Sequence, residues 1–357
     1  MPARGEGSRM QPVRRIRSLA AAVCCLVLAA CGTTGTEPGD DLAVADLYPP
    51  AHSISQAGIQ PFMKEVEKGS EGRVGFDYRS SEQLVSAEDN HWAVKSGAAS
   101  LGNILYMDSQ LPLLYVPQLP GLFEDRDVVG ASKAFWEYVR TNRQLQATFK
   151  EWNMRPLFCF TTTNYQLQFS DRSVDSLDKV KGKQIRAAGS ILPHSIEATG
   201  AVSTDLNASE AYDAFNRGVV DGLSLSVTSM RDYSFYELIK SAVIGVDLGG
   251  FPVCYGMNLD HWKSLGPEDR KVLEKAGDRA VETSARRLHG QVESEIKQWR
   301  RDGIDVHTAG RDPELEKNLA AVEGDWVDQL VGDGMERKTV EGAVAQWKRL
   351  LAKHTGK

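Results

Sequence analysis

Leu177-Asp-Lys-Val-Lys-Gly182-Lys-Gln-Ile-Arg186, followed by Asn207-Ala-Ser-Glu210-Ala-Tyr-Asp-Ala-Phe-Asn-Arg-Gly218-Val-Val-Asp-Gly222, is the stretch from which the fold of this 357-residue chain is read. Gly182 turns the chain sharply, because a residue without Cβ takes positive φ at no steric cost. Residues 183–187 have the look of a short strand that carries Arg186 near its end. Asn207 and Glu210 have the spacing of a capping box, which predicts a helix over 208–216 stopped by Gly218. Residues 219–226 return as another strand. A lobe of this kind, with an arginine at a strand end, suits capture of a small anion, since a guanidinium offers a planar fork of donors to two carboxylate oxygens.

Working outward, apolar runs at 42–45, 74–78 and 101–106 alternate with helical patterns near 54–68, 87–95 and 130–152. That order predicts an α/β fold. A mature length of about 325 residues favours two lobes over a single core. The next organising element opens at Gly266-Pro-Glu-Asp, with proline suited to a first helical position and acids to the first turn. Leu273, Ala276, Ala280, Leu288, Val292, Ile296 and Trp299 then recur mostly at spacings of three and four, up to Gly303. One helix over 267–301 would be about 50 Å long at 1.5 Å per residue. A single lobe hardly covers that length, so the helix is expected to run along both lobes as a spine; the alternative is two helices broken near Gly277 or Gly290. Helices near 313–330 and 339–353 close the chain.

The amino terminus is set aside from the fold. Arg14, Arg15 and Arg17 precede an apolar run from Ser18 to Ala30, and Leu28-Ala29-Ala30-Cys31 resembles a bacterial lipobox with Cys31 as the lipidated thiol. The run, about 13 residues, falls short of the roughly 20 needed to span a bilayer. Residues 1–30 are therefore expected to be a lipoprotein signal peptide and 31–41 a flexible tether. The remainder is expected to sit outside the cytoplasm, lipid-anchored through Cys31. Loss of the leader removes five arginines and Glu6, moving the formal charge from −6 to −10, which argues against nucleic acid as a partner. Cys159 and Cys254 remain in an oxidising compartment, either paired or as two separate buried thiols.

Taken together, these segments resemble the solute receptors of tripartite ATP-independent periplasmic (TRAP) transporters, the DctP-like family. The resemblance rests on the linker helix 177–181, Gly182-Lys-Gln-Ile-Arg186, Glu210-Ala-Tyr-Asp-Ala-Phe215 and Arg217-Gly-Val-Val-Asp-Gly222. Phe62-Met-Lys-Glu-Val-Glu67, Gly72-Arg-Val74 and Gln118-Leu-Pro-Gly-Leu-Phe-Glu124 extend it over roughly residues 43–310. It implies a two-lobed, Venus-flytrap α/β fold with a long spine helix crossing both lobes. Lobe I would comprise 42–163 plus 252–291 and lobe II 164–251 plus 292–357, with the hinge near 164 and 252. It also implies a small organic acid as ligand, carboxylate or sulfonate, and integral membrane TRAP permease subunits as partners. No cofactor, metal or catalytic step is expected.

Arg186 occupies the position of the family's ligand-carboxylate arginine. Many members carry a second arginine where this chain has Gln166, which favours a monoanion over a dianion, because an amide adds hydrogen bonds but no charge. Members resembling sialic-acid receptors have Gln-Glu-Asn-Pro after Asp-Gly; Leu223-Ser224-Leu225-Ser226 stands here and disfavours that ligand. Ser224 and Ser226 remain candidates for small hydroxyl contacts. At predicted strand ends of the first lobe stand Tyr48, His52, Asn103 and Tyr106, where such folds place ligand groups; His91 and Trp92 on a helix and Tyr255 on the hinge strand join them as candidates for an aromatic wall. Hydrolase, metalloprotease and phosphate-loop motifs are missing. The rival readings are the receptor of an ATP-driven importer, a sensory receptor, and an envelope enzyme using Ser224 or Ser226.

Overall fold

Two sheets carry the chain. In a computed structural model, which describes residues 41–356, the first sheet contains β1 (Leu42–Ala45), β2 (Phe76–Arg79), β3 (Leu101–Asn103) and β4 (Met154–Thr161). The chain then leaves for a second sheet built from β5 (Gln166–Phe169), β6 (Gln184–Ala187), β7 (Val202–Asp205), β8 (Gly222–Leu225) and β9 (Ser241–Ile244). β10 (Pro252–Asn258) returns to the first sheet and β11 (Asp305–Thr308) to the second. The strand orders are β2-β1-β3-β10-β4 and β11-β9-β5-β8-β6-β7. The expected leader, Cys31 and the tether as far as residue 40 lie outside the described residues.

The chain therefore crosses between sheets at 162–165 and 245–251. A third passage is the helix Pro267–Arg301, 35 residues without a break, which packs on β4 and on the helix Ile59–Gly69 before leading to β11. Gly277 does not break it. A Cβ there would lie 2.4 Å from the Leu157 carbonyl oxygen, so glycine is what lets the helix lie directly on β4. Gly290 has open space around it. The two-lobed α/β architecture with a spine helix is the one expected.

Three local features depart from the sequence reading, each for a nameable reason. The helix expected over 54–68 is two, Ser53–Ala57 and Ile59–Gly69, separated at Gly58. Pro61 has no N–H to offer the Ala57 carbonyl four residues back, and that oxygen instead accepts from Ser284 Oγ of the spine at 2.9 Å. The helix expected over 130–152 is likewise two, Val128–Thr141 and Arg143–Glu151, because Asn142 is extended and its side chain accepts from Leu145 N at 3.0 Å as an N-cap. Finally, 292–357 does not stay with the second sheet. The last helix, Arg337–Thr355, packs on Val128–Thr141, where Phe135 and Tyr138 meet Trp347 edge-on and Glu137 bonds Lys353 and His354. The aromatic face of this helix selects the first lobe.

Cys159 and Cys254 stand opposite each other in the antiparallel β4–β10 pair, with Cα atoms 4.1 Å apart, and form a disulfide. Both cysteines are fully buried. The bond fastens together the strand that leaves the first sheet and the strand that returns to it.

Candidate functional site

Arg186 lies in β6 with Thr204 of β7 and Leu223 of β8 as its strand partners. Its side chain is buried, at 2 % exposure. Nε donates to the Leu206 carbonyl at 2.8 Å and Nη1 to the Ser224 carbonyl at 3.5 Å. Both acceptors are neutral. Among the described residues no carboxylate forms an ion pair with this guanidinium, whereas Lys183 and Arg231 of the same lobe both have acidic partners. An uncompensated buried charge costs several kcal/mol even after relaxation. The arrangement is that of a cation prepared for an external anion.

Tyrosines from both lobes gather around it. Tyr48 follows β1, Tyr106 follows β3 and Tyr255 lies in β10, while Tyr165 sits on the first crossing and Tyr233 ends the short helix Ser229–Asp232. Tyr48, Tyr106, Tyr165 and Tyr233 are within electrostatic reach of one another, and Tyr165 and Tyr233 of Arg186. Burial pushes the hydroxyls of Tyr48, Tyr233 and Tyr255 well above the ordinary phenol value, so they remain neutral. Tyr106 has φ +54, in the left-handed region where a side chain costs about 1–3 kcal/mol. The wall is aromatic and uncharged.

Two carboxylates organise the first lobe's contribution. Asp46 accepts from Tyr78 at 2.8 Å, Ser55 at 3.0 Å, Tyr255 at 3.2 Å and the Tyr48 N–H at 3.3 Å, which pins both site tyrosines. Burial raises its pKa to about 6 despite those donors. Asp232, from the second lobe, accepts from Ser53 Oγ of the first and lies 3.6 Å from His52 Nδ1; burial raises its pKa to about 6 as well. His52 caps the helix Ser53–Ala57, its Nδ1 accepting from Ile54 N at 3.2 Å. Its ring packs 4.3 Å from Tyr48 and 4.9 Å from Tyr233, and burial lowers its pKa to about 3.

The lobes meet around these groups. Gln118, at the end of the turn Pro112–Gln118, donates to the Ala188 carbonyl at 3.0 Å and accepts from Ile191 N at 3.3 Å. Gly189, at φ +92, admits it: a Cβ would fall 2.5 Å from Gln118 Nε2. Beside this contact opens a cavity of about 310 Å³ whose lining includes Tyr106, Asp108, Gly189, Asp205, Leu206 and Asn207.

Of the expected residues, the structure brings Arg186, Tyr48, His52, Tyr106 and Tyr255 into one neighbourhood. Asn103 stands opposite Tyr255 in the β3–β10 register, and both its side-chain heteroatoms are buried without a well-formed hydrogen bond. Ser224 Oγ is also buried and unpaired. Ser226 is spent in a turn, bonding Ser229 Oγ at 2.8 Å. Gln166 has both ends of its amide bonded to the main chain: its Oε1 accepts from Gly245 N at 2.7 Å and its Nε2 donates to the Asn164 carbonyl, so it staples the two crossings, and the adjacent Tyr165 lies within electrostatic reach of Arg186. Trp92 is half exposed and packs at a tilt against Trp152 under Lys95, away from the site. Among the described residues no group of three or more His, Cys, Asp or Glu is placed to hold a metal ion, and no helix is long and apolar enough to cross a membrane.

A family model described as bacterial extracellular solute-binding protein, family 7 (DctP), matches residues 45–329. The chain belongs to that family. DctP-family proteins are extracytoplasmic solute-binding receptors of TRAP transporters and not enzymes. One relative, described as outer membrane transporter protein TsaT of Comamonas testosteroni, is 22 % identical over 304 residues, 83 % of this chain and 86 % of its own. A TRAP solute-binding protein of Rhodoferax ferrireducens, solved with copurified benzoate, superposes with a TM-score of 0.79 at 19 % identity, covering 88 % of this chain and 98 % of that one. A marine metagenome TRAP receptor specific for aromatic acids, solved with metahydroxyphenylacetate, also reaches 0.79 at 20 % identity with the same coverage of both chains. At these identities the likeness to solved structures speaks for the DctP fold alone.

Sequence reasoning missed Tyr165, Tyr233, Asp46, Asp232 and Gln118. The aromatic run Tyr233-Ser-Phe-Tyr236 was the available signal for one of them. Asp46 and Asp232 are acids in otherwise apolar or short segments, and only the folded chain shows what they hold.

Proposed function

We propose that this chain is the solute receptor of a TRAP-type secondary transporter, in which Arg186 grips the carboxylate of a small organic monoacid and the closed protein delivers it to the membrane permease. The observation that carries the reading is the buried Arg186 guanidinium, which has main-chain carbonyls but no acidic side chain for partners. In a closed cleft a guanidinium–carboxylate pair is poorly screened, and its two parallel hydrogen bonds fix the ligand's orientation. The five tyrosines favour a flat, largely apolar body. Benzoate in the Rhodoferax ferrireducens protein and metahydroxyphenylacetate in the marine one are ligands of that description. With Gln166 withdrawn to the main chain, one cation serves one anionic group. Segments 162–165 and 245–251 act as the hinge between a lobe I of 42–163 plus 252–291 and a lobe II of 164–251 plus the stretch after 292, except the last helix, and Cys31 anchors the protein to a membrane by lipid.

A thermal-shift screen of residues 36–357 against aromatic and aliphatic monocarboxylates, sulfonates and C4 dicarboxylates tests this. Ligand at 100 times its dissociation constant adds about 2.7 kcal/mol. A monocarboxylate hit that vanishes in Arg186→Ala is expected; stabilisation by no acid at all would contradict the receptor reading.

A further inference from the structure

His52 holds the one ring nitrogen in the aromatic cluster whose role the carboxylate grip leaves open. Its Nδ1 accepts a hydrogen bond from Ile54 N, so in the neutral ring the proton is on Nε2. Nε2 is buried and has no hydrogen-bond partner, although the side chain is wholly enclosed between Tyr48 and Tyr233. A buried donor left unpaired is costly, and native proteins seldom tolerate one without a use. Tyr233 is also the residue within electrostatic reach of both Arg186 and Tyr106, which puts His52 in the wall of the same site and on the opposite lobe from the arginine.

We propose that His52 reads the part of the ligand that faces the first lobe, donating from Nε2 to an uncharged oxygen, so that the preferred solute is a flat monocarboxylate bearing a hydroxyl, ether or carbonyl oxygen on its body. This rests on the receptor reading above. The acceptor is uncharged for two reasons. The Asp232 carboxyl lies 3.6 Å from Nδ1 and repels a second anion, and the ring itself stays neutral, its pKa lowered to about 3 by burial. Asn103, with its amide buried opposite Tyr255, and Ser224, whose carbonyl accepts from Arg186 and whose buried hydroxyl is unpaired, supply further donors or acceptors for such a substituent. Dicarboxylates are disfavoured by the same carboxylate.

Calorimetric titration of the wild type with benzoate, 3-hydroxybenzoate, 4-hydroxybenzoate, 4-methoxybenzoate and terephthalate reads the proposal as a ratio of dissociation constants. At least one oxygen-bearing monoacid is expected to bind about tenfold tighter than benzoate, the factor that one buried hydrogen bond carries, and terephthalate more weakly than either. In His52→Asn, which keeps a good helix cap for Ile54 but withdraws the reaching donor, the advantage should fall towards one. His52→Phe, which keeps the ring packing, should give the same collapse, and a thermal melt reports whether each variant is folded. In the wild type the Nε2 proton resonance should shift on binding the oxygen-bearing acid and not on binding benzoate. Benzoate binding as tightly as every substituted acid, or a preference that survives in both variants, overturns this inference and leaves the receptor reading intact. If none of these acids binds in an Arg186-dependent manner, the receptor reading fails and this inference with it.

Discussion

Arg186 was legible because its surroundings in sequence are its surroundings in space: the turn at Gly182, the strand and the capped helix all lie within one stretch. The groups it shares the site with come from separate segments, and strand-end position marks only some of them: Tyr48, His52 and Tyr106 stand where such folds place ligand groups, whereas Tyr165, Asp46 and Asp232 carry no such mark. Gln166 shows the limit most clearly, since counting along the strand does not reveal that its side chain bonds Gly245 across the crossing or that the adjacent Tyr165 lies within electrostatic reach of Arg186. Asp232 and His52 set an expectation for pH. Asp232 of the second lobe is buried against Ser53 and His52 of the first, with its pKa raised to about 6 from an ordinary 3.8; its other charged neighbours are Glu295 and Arg231. The closed form thus binds that proton more tightly, and acidification from pH 7 to 5 favours closing. His52 works in the opposite sense: its pKa of about 3 in the closed form lies below the ordinary 6.5, so protonation of the open form opposes closing over the same range. Asp46, whose partners all belong to the first lobe, is common to both forms. In His52→Asn, affinity for an acid ionised throughout this range should therefore rise several-fold between pH 7 and 5, and in Asp232→Asn it should fall. Calorimetry at four pH values checks both, and parallel slopes in the two variants would refute the assignment.

At the scale of elements, what could be read was what carried its own punctuation. The helices Ala208–Asn216 and Pro267–Arg301 stand where the capping box and the Gly-Pro-Glu-Asp start placed them. Where a helix stops for a reason internal to it, as at Pro61 or Asn142, an apolar stripe alone runs past the break. The stripe also does not say which partner it will find: the last helix packs on Val128–Thr141 of the first lobe. The disulfide was undecided for the same reason: two apolar strands with one cysteine each do not reveal that the residues stand opposite one another. The spine's glycines offer a test. Gly277→Ala gains helix propensity of about 1 kcal/mol but drives a Cβ into the Leu157 carbonyl at 2.4 Å, and a net loss of about 1–3 kcal/mol is expected. Gly290→Ala meets open space and should gain about 0.5–1 kcal/mol. Urea unfolding of the two variants separates them; similar midpoints would mean that the spine does not lie on β4 as described.

For the whole molecule, the two sheets, the spine and the order of crossings followed from the alternation of strands and helices together with the family resemblance, while the closure contacts did not. Contacts between the lobes include those of Gln118 with Ala188 and Ile191 and of Ser53 with Asp232, none of which is near its partner in sequence. Because a ligand shifts the open–closed balance only by its differential affinity, weakening a contact made on closing weakens binding without touching the ligand. Gln118→Ala should accordingly raise the dissociation constant about three- to tenfold, and the ligand-induced fall in radius of gyration, followed by small-angle scattering, should need correspondingly more ligand; an unchanged titration would show that Gln118 does not report closure. We propose that a single buried guanidinium, Arg186, captures the solute's carboxylate. Calorimetry of Arg186→Met with the tightest acid from the screen tests it most directly. Loss of a buried, charge-assisted pair should weaken binding by about a hundredfold or more, with the ligand-free melting temperature held or raised because an unpaired buried charge has been removed. An affinity within a few-fold of wild type in a folded Arg186→Met protein would contradict the account.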